Sequence, residues 1–159
     1  MLPPRLEMTP GLRLAGMRVR TSFDSNATGA LWGRFMPRRR ELRAAAPGLY
    51  SVELYDPGHF DAFDPARPFD KWAAVEIAGG APLPEGMEAL VVPPGLYAVF
   101  VHRGPAAAAA ATYRHIFADW MPASGYRPDD RPHFALMPED YRPDDPAAAE
   151  TIWIPVRAQ

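Results

Sequence analysis

Hydrophobic and polar positions follow the same order twice along this chain of 159 residues. In each half an alternating run, typical of a β-strand, precedes a helical run, and two further alternating runs follow. Both helical runs carry large apolar residues at i, i+1, i+4 and i+5 and end on proline: Leu31-Trp32-x-x-Phe35-Met36-Pro37 and Ile116-Phe117-x-x-Trp120-Met121-Pro122. The pattern predicts two strand–helix–strand–strand units packed together, with a cleft between them.

The turn residues between these runs set the predicted element bounds. The first unit comprises a strand at 12–22, a helix at 30–43 interrupted at Pro37, and strands at 49–55 and 71–78. The second unit comprises a run at 87–102 broken at Pro93-Pro94-Gly95, a helix at 106–121, and strands at 134–137 and 151–156.

This order of elements predicts the fold class α+β. We expect two β-α-β-β repeats that form an antiparallel sheet backed by two helices, with the ligand cleft on the opposite face. The expected organisation is a single domain over residues 1–159, with half-units at about 10–80 and 84–157.

Composition narrows the classes of function. The formal net charge is −2 and the pI about 6.1, so no global basic field attracts nucleic acid or acidic lipid, and we expect neither as a direct partner. The chain has no cysteine, which excludes disulfides, thiolate catalysis and Cys-ligated zinc. No apolar run approaches the ~20 residues of a membrane helix, and no apolar leader is present, so the expected location is the cytoplasm.

Seven segments, in this order and at this spacing, carry a family resemblance. They are Gly16-Met-Arg-Val-Arg-Thr21, Leu31-Trp-Gly-Arg-Phe-Met36, Trp72-Ala-Ala-Val-Glu-Ile-Ala-Gly79, Leu83-Pro-Glu-Gly-Met87, Pro94-Gly-Leu-Tyr-Ala-Val-Phe100 with Gly104-Pro105, Phe117-Ala-Asp-Trp-Met-Pro122 with Ser124-Gly-Tyr126, and Ile152-Trp-Ile-Pro-Val156. From about Leu12 to Arg157 the chain resembles the GyrI-like small-molecule-binding domain, which is also the effector-binding domain of AraC- and MerR-type multidrug regulators.

The resemblance implies a concave face that binds amphipathic, often cationic, organic molecules through a buried carboxylate and several aromatics. The domain commonly follows a helix-turn-helix module, for which residues 1–11 leave no room, so a stand-alone member is expected. Some such members are gyrase-inhibitory or protective proteins, and others hydrolyse strained cyclopropane-containing genotoxins. One departure is the penultimate strand, His133-Phe-Ala-Leu-Met137, which has no acid until Glu139 although many regulators carry one there.

Glu76 is the first candidate for the site. Alternation puts Trp72 and Glu76 on one strand face and Ala73, Val75 and Ile77 on the other. If the second face packs under the helices, an aromatic wall and a carboxylate face the cleft together, which suits a soft cation. The same carboxylate, desolvated, would have a raised pKa and act as a general acid or base. The alternative is an ordinary solvent-facing strand residue.

Trp120 and Trp153 are the next candidates. Trp120 ends a helical stripe, where a tryptophan belongs to the core more often than to a ligand site. Trp153 alternates with Ile152 and Ile154. The two isoleucines are the more core-like set, which leaves Trp153 for the cleft.

Four further candidates depend on strand faces that the sequence leaves open. Glu53 and Tyr55 share one face of their strand and would add a second acid, but the opposite face is equally able to line the cleft. Tyr97 is favoured by the resemblance alone, since either face of its strand fits. Glu150 either closes one end of the cleft or is a solvated charge at the strand end.

Histidines and an Asp-rich loop carry weaker signals. His102 and His115 have no orienting carboxylate adjacent in sequence, and His115 fits a helix surface. The loop Asp56-x-x-His59-x-Asp61-x-x-Asp64 lacks the glycine and terminal glutamate of a calcium loop and the paired histidines of a zinc site. We interpret it as a turn-rich loop and expect neither a metal nor a cofactor.

The leading hypothesis is a stand-alone cytoplasmic protein that binds amphipathic, cationic or aromatic compounds, in drug or toxin response or in transcription regulation, with Glu76 as the main acidic anchor. One alternative is a hydrolase of strained electrophilic rings, in which Glu76 and a second acid, Glu53 or Glu150, converge in the same cleft. Another is a protein that interacts with gyrase or a regulator through its outer surface. The oligomeric state is open, with a homodimer as one alternative.

Overall fold

The computed structural model describes residues 2–62 and 64–159. In this part of the chain nine strands form, several of them short. They are β1 (Arg5–Thr9), β2 (Leu12–Thr21), β3 (Leu49–Leu54), β4 (Phe69–Glu76), β5 (Glu88–Val92), β6 (Gly95–Arg103), β7 (Tyr126–Pro128), β8 (His133–Met137) and β9 (Ala149–Ala158).

The two predicted helices are present but neither is a regular α-helix throughout. The first is α1 (Thr28–Phe35), which tightens into a 3₁₀ segment, Met36–Glu41, where Pro37 removes a backbone donor. The second helical segment runs through a 3₁₀ turn (Ala106–Ala108), α2 (Ala109–Arg114), a π-helical turn (His115–Trp120) and α3 (Met121–Ser124). It ends at Gly125, whose φ of 78° gives the left-handed C-cap that favours glycine.

The strands pair antiparallel in the order β1-β6-β9-β8-β3-β4-β2-β5, and β7 adds to β9. The first unit is β2-α1-β3-β4, the second is β6-α2-β8-β9 with β7 inserted, and they meet where β3 pairs with β8. The predicted fold class is therefore confirmed: two β-α-β-β units form an antiparallel α+β domain.

Two features of the sheet were not predicted. The N-terminal residues form an extra strand, β1, and the Pro93-Pro94 break separates two strands that lie in different halves of the sheet. β1 pairs with β6 of the second unit, whereas β5 pairs with β2 of the first. The edge strands are thus exchanged between the units, which ties the halves together.

Three apolar clusters show which face each residue occupies. The helix face of the first unit packs Leu31 and Phe35 on Ala73 and Val75, and that of the second packs Ile116 on neighbouring strands that carry Phe100, Ile152 and Ile154. The third cluster covers the face away from the helices, which we call the aromatic face. Its aromatic members are Tyr50, Trp72, Tyr97, Phe134 and Trp153.

Gly16 allows β2 to approach β4 closely. A Cβ at this position would collide with the carbonyl oxygen of Ala73, a backbone atom that cannot move aside. The central pairing of β2 with β4 therefore requires glycine here, although its φ is ordinary for a strand.

Candidate functional site

The structure divides the seven predicted site residues between the two faces of the sheet. Four lie on the aromatic face: Trp72, Glu76, Tyr97 and Trp153. The other three lie on the helix face: Glu53, Tyr55 and Trp120. This corrects the expectation of one shared cleft, because β3 points Val52 to the aromatic face and the next residue, Glu53, to the helices.

The aromatic face is packed like a core. Phe134 stacks on Trp153 with ring centroids 5.2 Å apart and an interplanar angle of 16°, and it lies 5.3 Å from Tyr97 and 5.7 Å from Tyr50. Tyr97 is fully buried and donates its hydroxyl hydrogen to the Pro132 carbonyl at 2.7 Å. These rings therefore pack against one another, as aromatic side chains do in protein interiors.

Glu76 lies at the edge of this face, at the last position of β4, and is partly buried. Burial raises the pKa of Tyr50 to about 12, and the charge of Glu76 contributes to the same shift. Trp72, four residues earlier on the same face, is buried and its Nε1 has no hydrogen-bond acceptor. The role of Glu76 as an anchor stays a prediction.

A cleft of about 650 Å³ opens where β8 ends and β9 begins, and we call it the acidic cleft. Its lining is mainly apolar and includes three acidic residues, and among the described residues no Lys, Arg or His belongs to it. The lining residues are Pro47, Gly48, Val101, Leu136, Met137, Pro138, Glu139, Asp140, Ala149, Glu150 and Thr151.

Glu150 is the least exposed acidic residue in the lining of the acidic cleft. It is partly buried, whereas Glu139 and Asp140 are exposed. Burial raises the pKa of Glu150, and the charge of Glu53 acts in the same direction, while His102 and Lys71 oppose them. Glu150 is the cross-strand partner of His102, which contacts Thr112 of α2, so its side chain points to the helix face. Leu136, another lining residue, points to the aromatic face.

The interior of the helix face holds what we call the buried polar cluster: Glu53, Tyr55, Lys71, Tyr113 and Glu150. Glu53 and Lys71 are cross-strand neighbours, 8% and 9% exposed, and form an ion pair at 3.3 Å. Glu53 Oε2 is buried without a hydrogen-bond partner. Burial raises the pKa of Glu53. Burial also raises the pKa values of Tyr55 and Tyr113 well above their usual value, with the Glu53 charge contributing to both.

Sequence reasoning missed two members of this cluster. Lys71 carried a signal, since a lysine opened a run of otherwise apolar strand residues, Trp72 to Val75. Tyr113 carried no signal in the sequence, because only the packing of its helix brings it near Glu53.

A second cavity, of about 320 Å³, lies at the opposite end of β8. Tyr55, His59, Phe60 and His133 line it together with arginines and aspartates, so its charges largely balance. His133 stacks on Phe60 at 5.6 Å. Burial, assisted by nearby His59 and Arg131, lowers the pKa of His133 to about 3, so its ring is neutral at physiological pH.

The remaining candidates have structural partners. Trp120 packs edge-on against Phe100 at 5.2 Å and stacks on Tyr126, which fits the core alternative. His102 is buried with its Nδ1 2.8 Å from Thr112 Oγ1. His115 lies on the helix surface, 3.3 Å from Asp119.

Neither a metal-ligand group nor a membrane-spanning helix is found among the described residues. Within residues 2–62 and 64–159, the Asp56–Asp64 loop included, no three His, Asp or Glu side chains are grouped so that they could hold a metal ion. Over the same residues, no helix combines the length and apolar character needed to span a membrane.

Comparison with known proteins identifies the family. Residues 2–157 match the model of the GyrI-like small molecule binding domain, and the chain belongs to this family. It is 29% identical over 153 residues to the transcriptional regulator BrlR of Pseudomonas aeruginosa PAO1, a match that covers 96% of this chain. The chain spans about half (54%) of the length of that relative.

Two solved structures share the fold. The structure of SAV2435 bound to tetraphenylphosphonium has a TM-score of 0.77 and 14% identity, covering 98% of this chain and 94% of that one. A hydrolase encoded by lin2189 from Listeria innocua has a TM-score of 0.57 and 15% identity, covering 98% and 92%. At these identities the likeness establishes the fold alone.

Proposed function

We propose that this GyrI-like domain binds amphipathic organic cations in the acidic cleft. The observation that carries the proposal is the composition of the cleft, whose described lining combines apolar residues with three acidic residues and no basic one. An apolar ligand body gains from leaving water, and a single positive charge gains from carboxylates at the wall. Neutral or anionic ligands of the same shape lack the second contribution.

The dimensions and charges of the cleft fit such a ligand. Its volume of about 650 Å³ falls within the ~300–1,000 Å³ typical of small-molecule sites. Glu150 is the anchor in this proposal, because a charge pair is stronger where burial lowers the effective dielectric. The exposed Glu139 and Asp140 would attract cations to the opening and contribute less to affinity.

The comparisons support this choice of ligand class. A protein of the same fold was solved with tetraphenylphosphonium, an amphipathic cation. Similarity to a transcriptional regulator supports a role in sensing compounds for drug response or gene regulation, in the cytoplasm.

Isothermal titration calorimetry with two matched ligands tests the proposal. Tetraphenylphosphonium carries one positive charge, whereas triphenylphosphine oxide has a similar aromatic body and no net charge. We expect Glu150→Gln to weaken the cation by about tenfold and to leave the neutral compound within about twofold. Glu85→Gln, an exposed acid outside the cleft lining, is the matched control.

The same titration shows whether Glu150 or Glu76 holds the positive charge of the ligand. Glu76→Gln leaves the affinity for the cation unchanged if the ligand lies in the acidic cleft, and lowers it if the ligand lies on the aromatic face. Wild-type protein that prefers the neutral compound, or binds neither, would refute the proposed function.

Hydrolysis is a second candidate, favoured by one observation. Burial raises the pKa values of both Glu53 and Glu150, and both charges act on Tyr113. One protonated and one ionised carboxyl group could then add water across a strained ring, the first donating a proton and the second activating the water. Mass spectrometry of a cyclopropane-bearing electrophile after incubation would show a gain of one water, lost in Glu150→Gln, if this holds.

A further inference from the structure

β1 is an open edge of the sheet. It is the first strand in the sheet order, and within the described part of the chain β6 is its one strand partner. The backbone N–H and C=O groups on its other side therefore have no strand to pair with. Such an edge can accept a strand from another chain, and natural proteins usually block it where no partner is intended.

The same edge carries exposed apolar side chains. Leu2, Leu6 and Met8 are 77%, 47% and 67% exposed, and they are three of the eight large apolar residues that are exposed in the described part of the chain. Leu6 and Met8 lie opposite Ala98 and Leu96 of β6, so they point to the helix face. Because these exposed apolar residues are concentrated beside an unpaired strand edge, they indicate a contact surface for another chain.

The other face of β1 carries two opposite charges. Arg5 and Glu7 lie opposite Val99 and Tyr97 of β6, so they are on the aromatic face. They form an ion pair at 2.8 Å, and the Arg5 guanidinium lies 5.6 Å from the centre of the Trp153 ring. The two charged side chains are 55% and 43% exposed, so each is accessible to a second partner of opposite charge.

The charges of β1 are complementary to those of a second copy of the same strand. When two identical strands pair antiparallel about a two-fold axis, the residue on the axis meets its own copy, and its two neighbours meet each other. With Leu6 on the axis, Arg5 of each copy lies opposite Glu7 of the other. With Arg5 or Glu7 on the axis, two like charges would lie opposite each other, which destabilises the pair. The charges therefore select the register that is centred on Leu6.

We propose that β1 pairs with β1 of a second copy of this chain, in the register that places Leu6 on the two-fold axis. The two sheets then continue into each other with their helix faces on the same side. Arg5 and Glu7 of both copies alternate in sign on the aromatic face. On the helix face the two Leu6 side chains meet, and Met8 of each copy lies opposite Pro4 of the other. No residue of β1 lines the acidic cleft, so this dimer contact is independent of the proposed function.

A single introduced cysteine reports the register directly, because the chain has no cysteine of its own. Leu6→Cys places two thiols opposite each other, where the Cβ atoms of antiparallel partners are about 4.5–5.5 Å apart, close to the spacing of a disulfide. Met8→Cys is the matched control, since its two copies would lie about 13 Å apart, too far for a disulfide. Under mild oxidation we expect Leu6→Cys to form the covalent dimer at least about tenfold faster than Met8→Cys, although Met8 is the more exposed residue.

Sedimentation equilibrium tests the charge complementarity. The contact is short, so we expect the wild-type dimer to dissociate with a constant on the order of 10 μM. Arg5→Glu places two acids opposite each other on both sides of the axis and should raise this constant at least about tenfold. Arg5→Glu/Glu7→Arg exchanges both charges and should restore it to within about threefold of the wild type. Val91→Asp, on the edge strand β5, should leave it unchanged.

Three results would overturn this dimer. The first is a wild-type protein that stays monomeric up to about 1 mM. The second is cross-linking of Met8→Cys as fast as that of Leu6→Cys, which would exclude the register centred on Leu6. The third is a dimer that Val91→Asp disrupts and Arg5→Glu leaves intact, which would place the contact at β5. All the substituted side chains are accessible to solvent, and circular dichroism of each variant would show that the sheet is retained.

Discussion

The two faces of the central sheet are built from the same strands and carry opposite chemistry. On β3, Tyr50 and Val52 join a face where aromatic rings from both units pack together. The residue after Val52 points to the helices and is Glu53, a charged group with 8% exposure. Because successive strand residues point to opposite faces, a packed apolar layer and a buried ion pair lie on the two sides of the same strand.

The difference between the two faces indicates which one carries the groups that can bind a ligand. The aromatic face pairs its rings with one another and leaves few polar groups without partners, Trp72 Nε1 being one. The helix face keeps titratable groups whose pKa values burial has moved, and one of them, Glu150, is also a lining residue of the acidic cleft. Perturbed titratable groups beside a cleft mark binding sites more often than packed rings do.

Removal of a ring from the aromatic face should have the largest effect on stability. Phe134 is 3% exposed and contacts three other aromatics, so Phe134→Ala leaves a large cavity and should lower the free energy of unfolding by roughly 3–5 kcal/mol in urea titrations. Val91→Ala, on the edge strand and 60% exposed, should cost less than about 0.5 kcal/mol. A small loss in Phe134→Ala would mean that this face is not core.

Breaking the ion pair on the helix face should have a somewhat smaller effect. Glu53→Gln leaves the Lys71 ammonium buried without its partner and should cost about 3 kcal/mol. Lys71→Met/Glu53→Gln should regain most of that loss, since no unpaired charge remains. If urea titrations show that the two single losses simply add in the double variant, the two charges are not coupled.

The pH dependence of stability should be the smallest of the three effects. The folded-state pKa of His133 is about 3, against about 6.5 in an unfolded chain, so the unfolded state binds the extra proton as pH falls. Its contribution to stability is complete above pH 6.5 and should decrease by about 2 kcal/mol between pH 7 and 5.

His133→Phe, which keeps the stacking on Phe60, should flatten this part of the stability profile. His115→Gln, on the helix surface, should leave the profile as in the wild type. Equal pH slopes for wild type and His133→Phe would show that His133 is protonated in the folded protein.

The sequence was sufficient for the fold class and for most strand faces. Period-two alternation put Ala73 and Val75 on one strand face and Trp72 on the other, and it separated Trp153 from the two isoleucines beside it. These predictions succeeded because the side-chain period of a strand is a local property. The exchange of β1 and β5 between halves was missed, since pairing between distant strands leaves no local signal.

The candidate site was less accessible to sequence reasoning. The acidic cleft depends on where β8 ends beside the start of β9, and its lining from Pro47 to Thr151 comes from four separate parts of the chain. The buried polar cluster requires Tyr113 of the second unit to cover Glu53 of the first. Glu76 was the natural choice from alternation, yet the acids that line the described cleft are Glu139, Asp140 and Glu150.

The position of a bound cation tests the central claim most directly. We predict that a crystal structure with tetraphenylphosphonium places the phosphorus atom in the acidic cleft, within about 6 Å of the Glu150 carboxylate. A ligand on the aromatic face beside Trp72 and Glu76, with the acidic cleft empty, would contradict the account.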